Sequence, residues 1–310
     1  MRVFVAGATG LIGRRVIELL LEHGDDYVVT GLTRHEDRAK PLQDAGAGIA
    51  MADAFDGEMM RGVFATAQPD VIVNQLSELP SRIDPERATQ QFADNDRIRI
   101  EGTRNLIVAA GTWGSKRIIA QSIAFAYAAD GDWIKEESAP LALDAPPPWG
   151  STVAAIADME RQVMEARGMD GVVLRYGTLY GPGTWYDPDG GQLAEAVRDG
   201  HVPLVGDGRG RASFTHVEDA ALATLAAIDG PPGIYNIVDD DPVEMGEWLP
   251  LYAEAVGGPE PERLSVDEAL ERQSWVEVHR MTEQRGASNA KAKEQLGWKP
   301  RHPTWRGELA

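Results

Sequence analysis

The run Val3-Phe4-Val5-Ala6-Gly7-Ala8-Thr9-Gly10-Leu11-Ile12-Gly13 limits what this chain can fold into more than any other stretch. The apolar segment from Arg2 to Ala6 reads as a strand, and glycines follow at G-x-x-G-x-x-G spacing. Apolar residues at Leu11, Ile12, Val16, Ile17, Leu20 and Leu21 then recur at helical intervals. A strand, a tight turn and a helix in that order leave backbone N–H groups free at the helix start, where they attract an anion. Gly7 permits the turn, Gly10 lets a pyrophosphate approach the backbone, and Gly13 lets the helix pack closely. The pattern therefore marks Gly7, Thr9, Gly10, Leu11, Ile12 and Gly13 as candidate contacts to a dinucleotide.

Strand-like runs at Val3 to Ala6, Tyr27 to Leu32, Gly48 to Met51, Val71 to Gln75, Arg117 to Gln121 and Val172 to Arg175 alternate with helical stretches. That alternation predicts an α/β fold, a Rossmann doubly wound parallel sheet. After residue 182 the texture changes, with Gly181-Pro182-Gly183, Asp187-Pro188-Asp189-Gly190-Gly191 and Pro231-Pro232-Gly233 breaking up short elements. We therefore expect residues 1–180 to form a dinucleotide-binding domain, with some later segments returning to it. Residues 181–310 are expected to form mainly a smaller C-terminal substrate-binding lobe. Asp144-Ala145-Pro146-Pro147-Pro148 reads as a stiff loop and Asp239-Asp240-Asp241 as a solvated turn.

Composition narrows the function by exclusion. A formal charge of -19 argues against nucleic acid and anionic membrane as partners, since both are bound through basic surface. With no cysteine there is no disulfide framework, thiolate nucleophile or Cys-ligated metal. The six histidines are scattered without i, i+4 pairing, so no metal is expected. The chain opens on a strand and a glycine turn rather than a leader, and no stretch of ~18 apolar residues occurs, so a cytoplasmic location and a small-molecule substrate are expected.

The second strand chooses the cofactor. An NAD site places a carboxylate at its end to hold the ribose 2′-hydroxyl. Here the strand ends Gly31-Leu32-Thr33-Arg34, and Arg34 and Arg38 offer guanidinium forks suited to a 2′-phosphate. NADP(H) is therefore expected in preference to NAD(H), although Glu36 and Asp37 lie close by.

Further motifs accompany the glycine loop: Ala52-Asp53-Ala54, Glu101-Gly102-Thr103-Arg104-Asn105-Leu106, Leu174 to Gly183, Gly206-Asp207-Gly208, Phe214-Thr215-His216-Val217-Glu218-Asp219 and Leu296-Gly297-Trp298-Lys299-Pro300. With them the chain resembles the extended short-chain dehydrogenase/reductase superfamily, the NAD(P)-dependent epimerase/dehydratase group. The resemblance implies that Asp53, beside Ala54, reads the adenine amino group. It implies that Gln75, Leu76 and Ser77 flank the nicotinamide ribose, with Gln121 at the end of the fifth strand. It further implies that Tyr176, Gly177 and Thr178 back the nicotinamide, and that dimers form through a helix pair.

The departures are as telling. The superfamily moves protons with Ser or Thr and a Tyr-x-x-x-Lys pair. Ser122 fits the first place, but Trp149 stands in the tyrosine place and Val153 in the lysine place. Sliding the register by three to align Glu160 substitutes Thr152 and Ile156, which does not restore the pair. An indole N–H donates a hydrogen bond and valine does nothing electrostatic. General acid catalysis contributes ~10²–10⁴-fold, whereas positioning can supply about 7–11 kcal/mol, so a reductase survives the loss. Ser122 and Tyr127 become the catalytic candidates, while Trp149, Tyr180, Trp185 and Tyr186 could stack on a planar substrate, or simply pack. Ala212 occupies the place where sugar-nucleotide members carry a diphosphate-gripping arginine, and His216 reads as structural.

These readings favour an NADPH-dependent reductase of a carbonyl or imine on a small aromatic or polyketide-like substrate. A sugar or sugar-nucleotide epimerase/dehydratase is the alternative, and a non-catalytic NADP-binding sensor is a third.

Overall fold

The computed structural model describes residues 1–309. Strands β1 (Arg2–Ala6), β2 (Val28–Thr33), β3 (Gly48–Met51), β4 (Val71–Asn74), β5 (Arg117–Ile123), β6 (Asp170–Tyr176) and β7 (Gly233–Ile237) form one parallel sheet in the order β7-β6-β5-β4-β1-β2-β3. Helices α1 (Leu11–Glu22), α2 (Glu36–Asp44), α3 (Gly57–Ala67), α4 (Ala88–Arg97), α5 (Thr103–Trp113), α6 (Trp149–Met164), α7 (Gln192–Arg198), α8 (Val217–Asp229) and α9 (Met245–Ala255) follow in chain order. No helix among the described residues is long and apolar enough to cross a membrane.

Successive side chains on a strand point to opposite faces, and both faces of this sheet are covered, so its strands read as unbroken apolar runs. On one face Val3, Val5, Val73, Ile119 and Leu174 pack with Val16, Ile17 and Leu20 of α1 and Ala220 and Ala223 of α8. On the other, Phe4, Ile72, Ile118 and Ala120 pack with Phe64 of α3, Leu106 of α5 and Met159 and Val163 of α6. The strand order reverses between β1 and β4, and a crevice at their C-terminal ends is where such sheets bind ligands.

The seventh strand escaped the sequence pattern: it follows Pro231-Pro232 and lies at the sheet edge. Beyond β6 a second core is unusually aromatic, with Tyr180, Phe214, Trp248, Tyr252 and Trp305 buried together. The Asp239-Asp240-Asp241 run corrects an expectation, because it is a fastening point rather than a solvated turn. Asp239 is 3% exposed and accepts hydrogen bonds from the Phe214 and Trp305 N–H groups. Asp240 accepts from Asn289, and Asp241 from Thr304 and Arg306. Backbone donors brought in from a strand and from the chain's last segment replace the water that a run of carboxylates ordinarily needs.

Candidate active site

The glycine turn is built so that side chains are excluded from it. Gly7 sits at φ +80°, and a Cβ there would lie 2.3 Å from the Gln75 carbonyl oxygen. A Cβ on Gly13 would lie 2.2 Å from the Gly7 carbonyl oxygen, so α1 is pressed against the turn. No side chain caps α1 at Gly10, which leaves the first-turn N–H groups to an incoming anion. Beside the turn, the Gln75 side chain donates to the Tyr176 hydroxyl at 3.0 Å while its Oε1 is buried without a partner. A dinucleotide fits this cradle: its phosphates meet the helix start, and its hydroxyl groups offer donors to the orphaned oxygen.

At the adenosine end, Thr9 and Thr33 share a hydroxyl hydrogen bond of 3.1 Å. Arg34 projects past them, 2.7 Å from Glu78 and 3.9 Å from Asp53, whose other oxygen accepts from the Phe55 N–H. Ala54 is buried beneath, and Arg38 is exposed on α2. Leu76 accepts from Gln121 through its carbonyl, and Ser77 donates to Asn95. Thus Arg34, Asp53, Gln75, Leu76 and Gln121 come together around one crevice.

The end of β5 divides into two sides. Ser122 is 3% exposed and donates to Glu160 at 2.6 Å, and Glu160 takes both Nε (2.8 Å) and Nη2 (2.6 Å) of Arg175. Arg175 in turn donates to the Tyr127 hydroxyl at 2.9 Å, and that hydroxyl donates to Asn236 at 2.6 Å. Burial opposes the Arg175 charge, and Glu160 more than offsets it, so the guanidinium stays firmly protonated. Burial also pushes the Tyr127 phenol up, against Arg175, and the fully buried Tyr176 phenol to about 12. The two residues named as catalytic candidates are therefore members of one closed polar chain. Tyr176, likewise, turns its ring into the core, so only the backbone around Gly177 and Thr178 is left to face a cofactor.

Gln121, Ile123 and Phe125 alternate with the buried residues and are half-exposed. Ile123 packs with Val153, Ile156 and Trp149 in an apolar cluster, and Trp149 lies parallel to Phe125, 10° between planes and 6.2 Å between centroids. Helix α6 itself carries neither tyrosine nor lysine. The half-exposed side of this segment is apolar and aromatic at Ile123, Phe125 and Trp149, side chains that exchange no proton. The sequence motifs do not mark Ile123 and Phe125; the period-two alternation that runs through β5 and two residues past its end is the signal that finds them.

Of the expected stacking residues, Trp149 alone joins this surface. Tyr180 packs edge-on against Phe214 and His216, and Tyr186 against Phe214 and Trp248, both in the aromatic core. Trp185 donates to the Pro80 carbonyl at 3.3 Å. Next to it the Gln192 amide clasps Ile83 through both N–H and C=O, at 2.7 and 2.8 Å, and Arg82 pairs with Glu195. The loop that follows β4 is thereby tied to Trp185 and to α7 beyond β6.

Comparison with known proteins gives the family and the fold. Residues 3–237 match the model of the NAD dependent epimerase/dehydratase family. A 3-diazoavenalumate denitrifying reductase from Streptomyces sp. is 44% identical over 100% of this chain and 99% of its own length. A 4-hydroxy-2-methyl-3-oxo-4-farnesyl-3,4-dihydroquinoline-1-oxide ketoreductase from Stigmatella aurantiaca is 29% identical over 83% of this chain and 74% of its own. Among solved structures, a UDP-glucose 4-epimerase from Thermotoga maritima superposes with a TM-score of 0.74 at 23% identity, covering 97% of this chain and 94% of that one.

Proposed function

The chain belongs to the NAD dependent epimerase/dehydratase family, as an NAD(P)-dependent oxidoreductase with reductase relatives, and from that premise we propose an NADPH-dependent reductase that removes a diazo group from a small aromatic carboxylate. The observation that carries the reading is the apolar cluster of Ile123, Trp149 and Val153 beside the end of β5. Reducing a ketone consumes a hydride and a proton, so it needs a donor where these three residues stand. When bound, the nicotinamide supplies a hydride, and with a diazonium carbon as acceptor the balance is Ar–N₂⁺ + H⁻ → Ar–H + N₂, which consumes no proton. The relative covering the whole chain bears a name describing that outcome on a diazo carboxylate.

In this reading the chain's own residues position and exclude. Gly7 through Gly13 seat the phosphates, Gln75 and the backbone at Gly177 and Thr178 frame the ribose and ring, and Arg34 with Arg38 favours a 2′-phosphate. Trp149 and Phe125 offer flat faces to an arene, and with Ile123 and Val153 they keep water from a reactive cation. Ser122 and Tyr127 act as positioning residues through Glu160 and Arg175. Residues 1–180 serve as the dinucleotide-binding domain and 181–310 mainly as the substrate lobe, in a cytoplasmic protein that pairs into dimers.

The test is direct. A 3-diazo-4-hydroxycinnamate incubated with the protein and NADPH is expected to yield dinitrogen and NADP⁺ in equal amounts. NADPH deuterated at the transferred position is expected to place deuterium on the carbon that bore nitrogen. Reduction of aryl ketones with the diazo compound untouched would restore the ketoreductase reading. Silence toward both, with NADPH bound, would favour the sensor.

A further inference from the structure

A cluster of cations stands out on this acidic molecule. Arg285 precedes the short strand Gly286–Ala287, which pairs in parallel with Ile134–Lys135. It is 7% exposed, its Nη2 donates to the Ala129 carbonyl, and its Nε and Nη1 are buried with no acceptor. The Trp133 ring lies over the guanidinium, 3.7 Å from Cζ to centroid, and Arg209 lies over the same ring at 5.5 Å. Glu283 approaches Nη2 at 3.7 Å and leaves the orphaned nitrogens untouched. Lys135, itself buried, donates to the Asp130 carbonyl nearby.

The cluster is joined by contacts to the segments that end β5 and β6. Ala129 lies two residues beyond Tyr127 on the segment that continues β5. Ala287, two residues after Arg285, donates its N–H to Ser213 Oγ at 2.9 Å. The Ser213 carbonyl stands 2.3 Å from where a Gly177 Cβ would be, so the backbone assigned to the nicotinamide wall and the arginine are linked through two contacts. Buried N–H groups without acceptors are costly, and a charged donor more so. The Trp133 cover is half-exposed on a loop and Arg209 is exposed, so the guanidinium is reachable once the indole turns aside. On a chain of net charge -19, a buried guanidinium with unpaired donors is a local exception that favours an anion.

The geometry points to Arg285 as the seat of the substrate's carboxylate, with Trp133 as its movable cover and Arg209 as the outer cation. This deepens the proposed function and rests on its reading of the substrate as an aromatic carboxylate. A carboxylate oxygen supplies the acceptor that Nε and Nη1 lack, and charge-assisted bonds of this type are the strong ones. The indole face, already matched to a guanidinium, can stack on a conjugated chain leading from arene to carboxylate.

The test needs no turnover and so stands apart from the diazo assay. Calorimetry on the full chain with NADP⁺ present compares 4-hydroxycinnamate with its methyl ester. The wild type is expected to bind the acid at least tenfold more tightly than the ester. Arg285→Gln should abolish the preference, Arg285→Lys should keep part of it, and Arg209→Gln, at an exposed position, should reduce it several-fold. An acid-over-ester preference that survives Arg285→Gln, or its absence in the wild type, overturns the assignment. Should Arg285→Gln fail to fold, an undiminished preference in both Arg209→Gln and Arg285→Lys does the same. Arg285-dependent binding without any diazo turnover would leave the anion seat standing and sink the proposed reaction instead.

Discussion

At the scale of single residues, the buried chain Ser122–Glu160–Arg175–Tyr127–Asn236 and the exposed Arg34 invite opposite expectations. Glu160 and Arg175 have side chains only 6% and 4% exposed, so removing one partner strands the other charge. Glu160→Gln is expected to cost about 3–5 kcal/mol in urea unfolding. Ser122→Ala deletes one hydrogen bond to the same carboxylate, and a loss of about 1 kcal/mol with kcat within about twofold of wild type is expected. A large fall in kcat with stability intact would return Ser122 to the reacting atoms. Arg34, held by Glu78 at the rim, has no such structural burden. Arg34→Ala should raise the NADPH dissociation constant tenfold or more in a fluorescence titration while leaving NADH nearly unchanged; equal losses would remove the preference for the phosphorylated coenzyme.

Elements show what a sequence can and cannot display. Gly13 and Gly62 both lie within helices, yet a Cβ meets a carbonyl oxygen at 2.2 Å in the first and nothing within 4 Å in the second. Gly13→Ala should push α1 off the turn and weaken NADPH binding by more than tenfold. Gly62→Ala, on an exposed turn of α3, should stabilise the protein by about 0.5–1 kcal/mol in thermal melts and leave binding alone. A neutral Gly13→Ala would mean that the turn is not the phosphate seat. The glycine turn and six of the seven strands were legible because their signals are local: β-branched runs, glycine spacing and helical periodicity. β7 was not, since its partner β6 lies some sixty residues earlier in sequence and its flanks carry prolines. Within the site, the dry side of β5 was hidden because alternation assigns faces only once the phase of the strand is known. The meeting of Arg285 with Ala129 and Trp133 was hidden because two segments some 150 residues apart create it.

For the whole molecule, Asp239 ties the chain at Phe214 to the segment at Trp305, and its titration reports on that fastening. Burial pushes this carboxyl up to about 8, against the pull of the Phe214 and Trp305 N–H donors and with Asp241 adding like charge. Unfolded, it releases its proton near 3.8, the ordinary value for an aspartate. Between those values the folded chain binds the extra proton, so stability falls as pH rises through the window and levels off above it. Glu218 acts with the opposite sign: Arg15 holds its carboxyl below 4.5, so its contribution is present above that value and fades as pH falls. The two together place maximal stability near the acid end of the Asp239 window. Unfolding free energy from urea titrations between pH 5 and 9 should therefore decline by an amount on the order of several kcal/mol. Asp239→Asn cannot ionise, and its curve should be flat across the same range while the acid-side loss from Glu218 persists. An unchanged slope in that variant would mean that Asp239 is ionised in the folded protein, its charge carried by the Phe214 and Trp305 donors. The C-terminal segment would then be held by an anion rather than by a neutral acid.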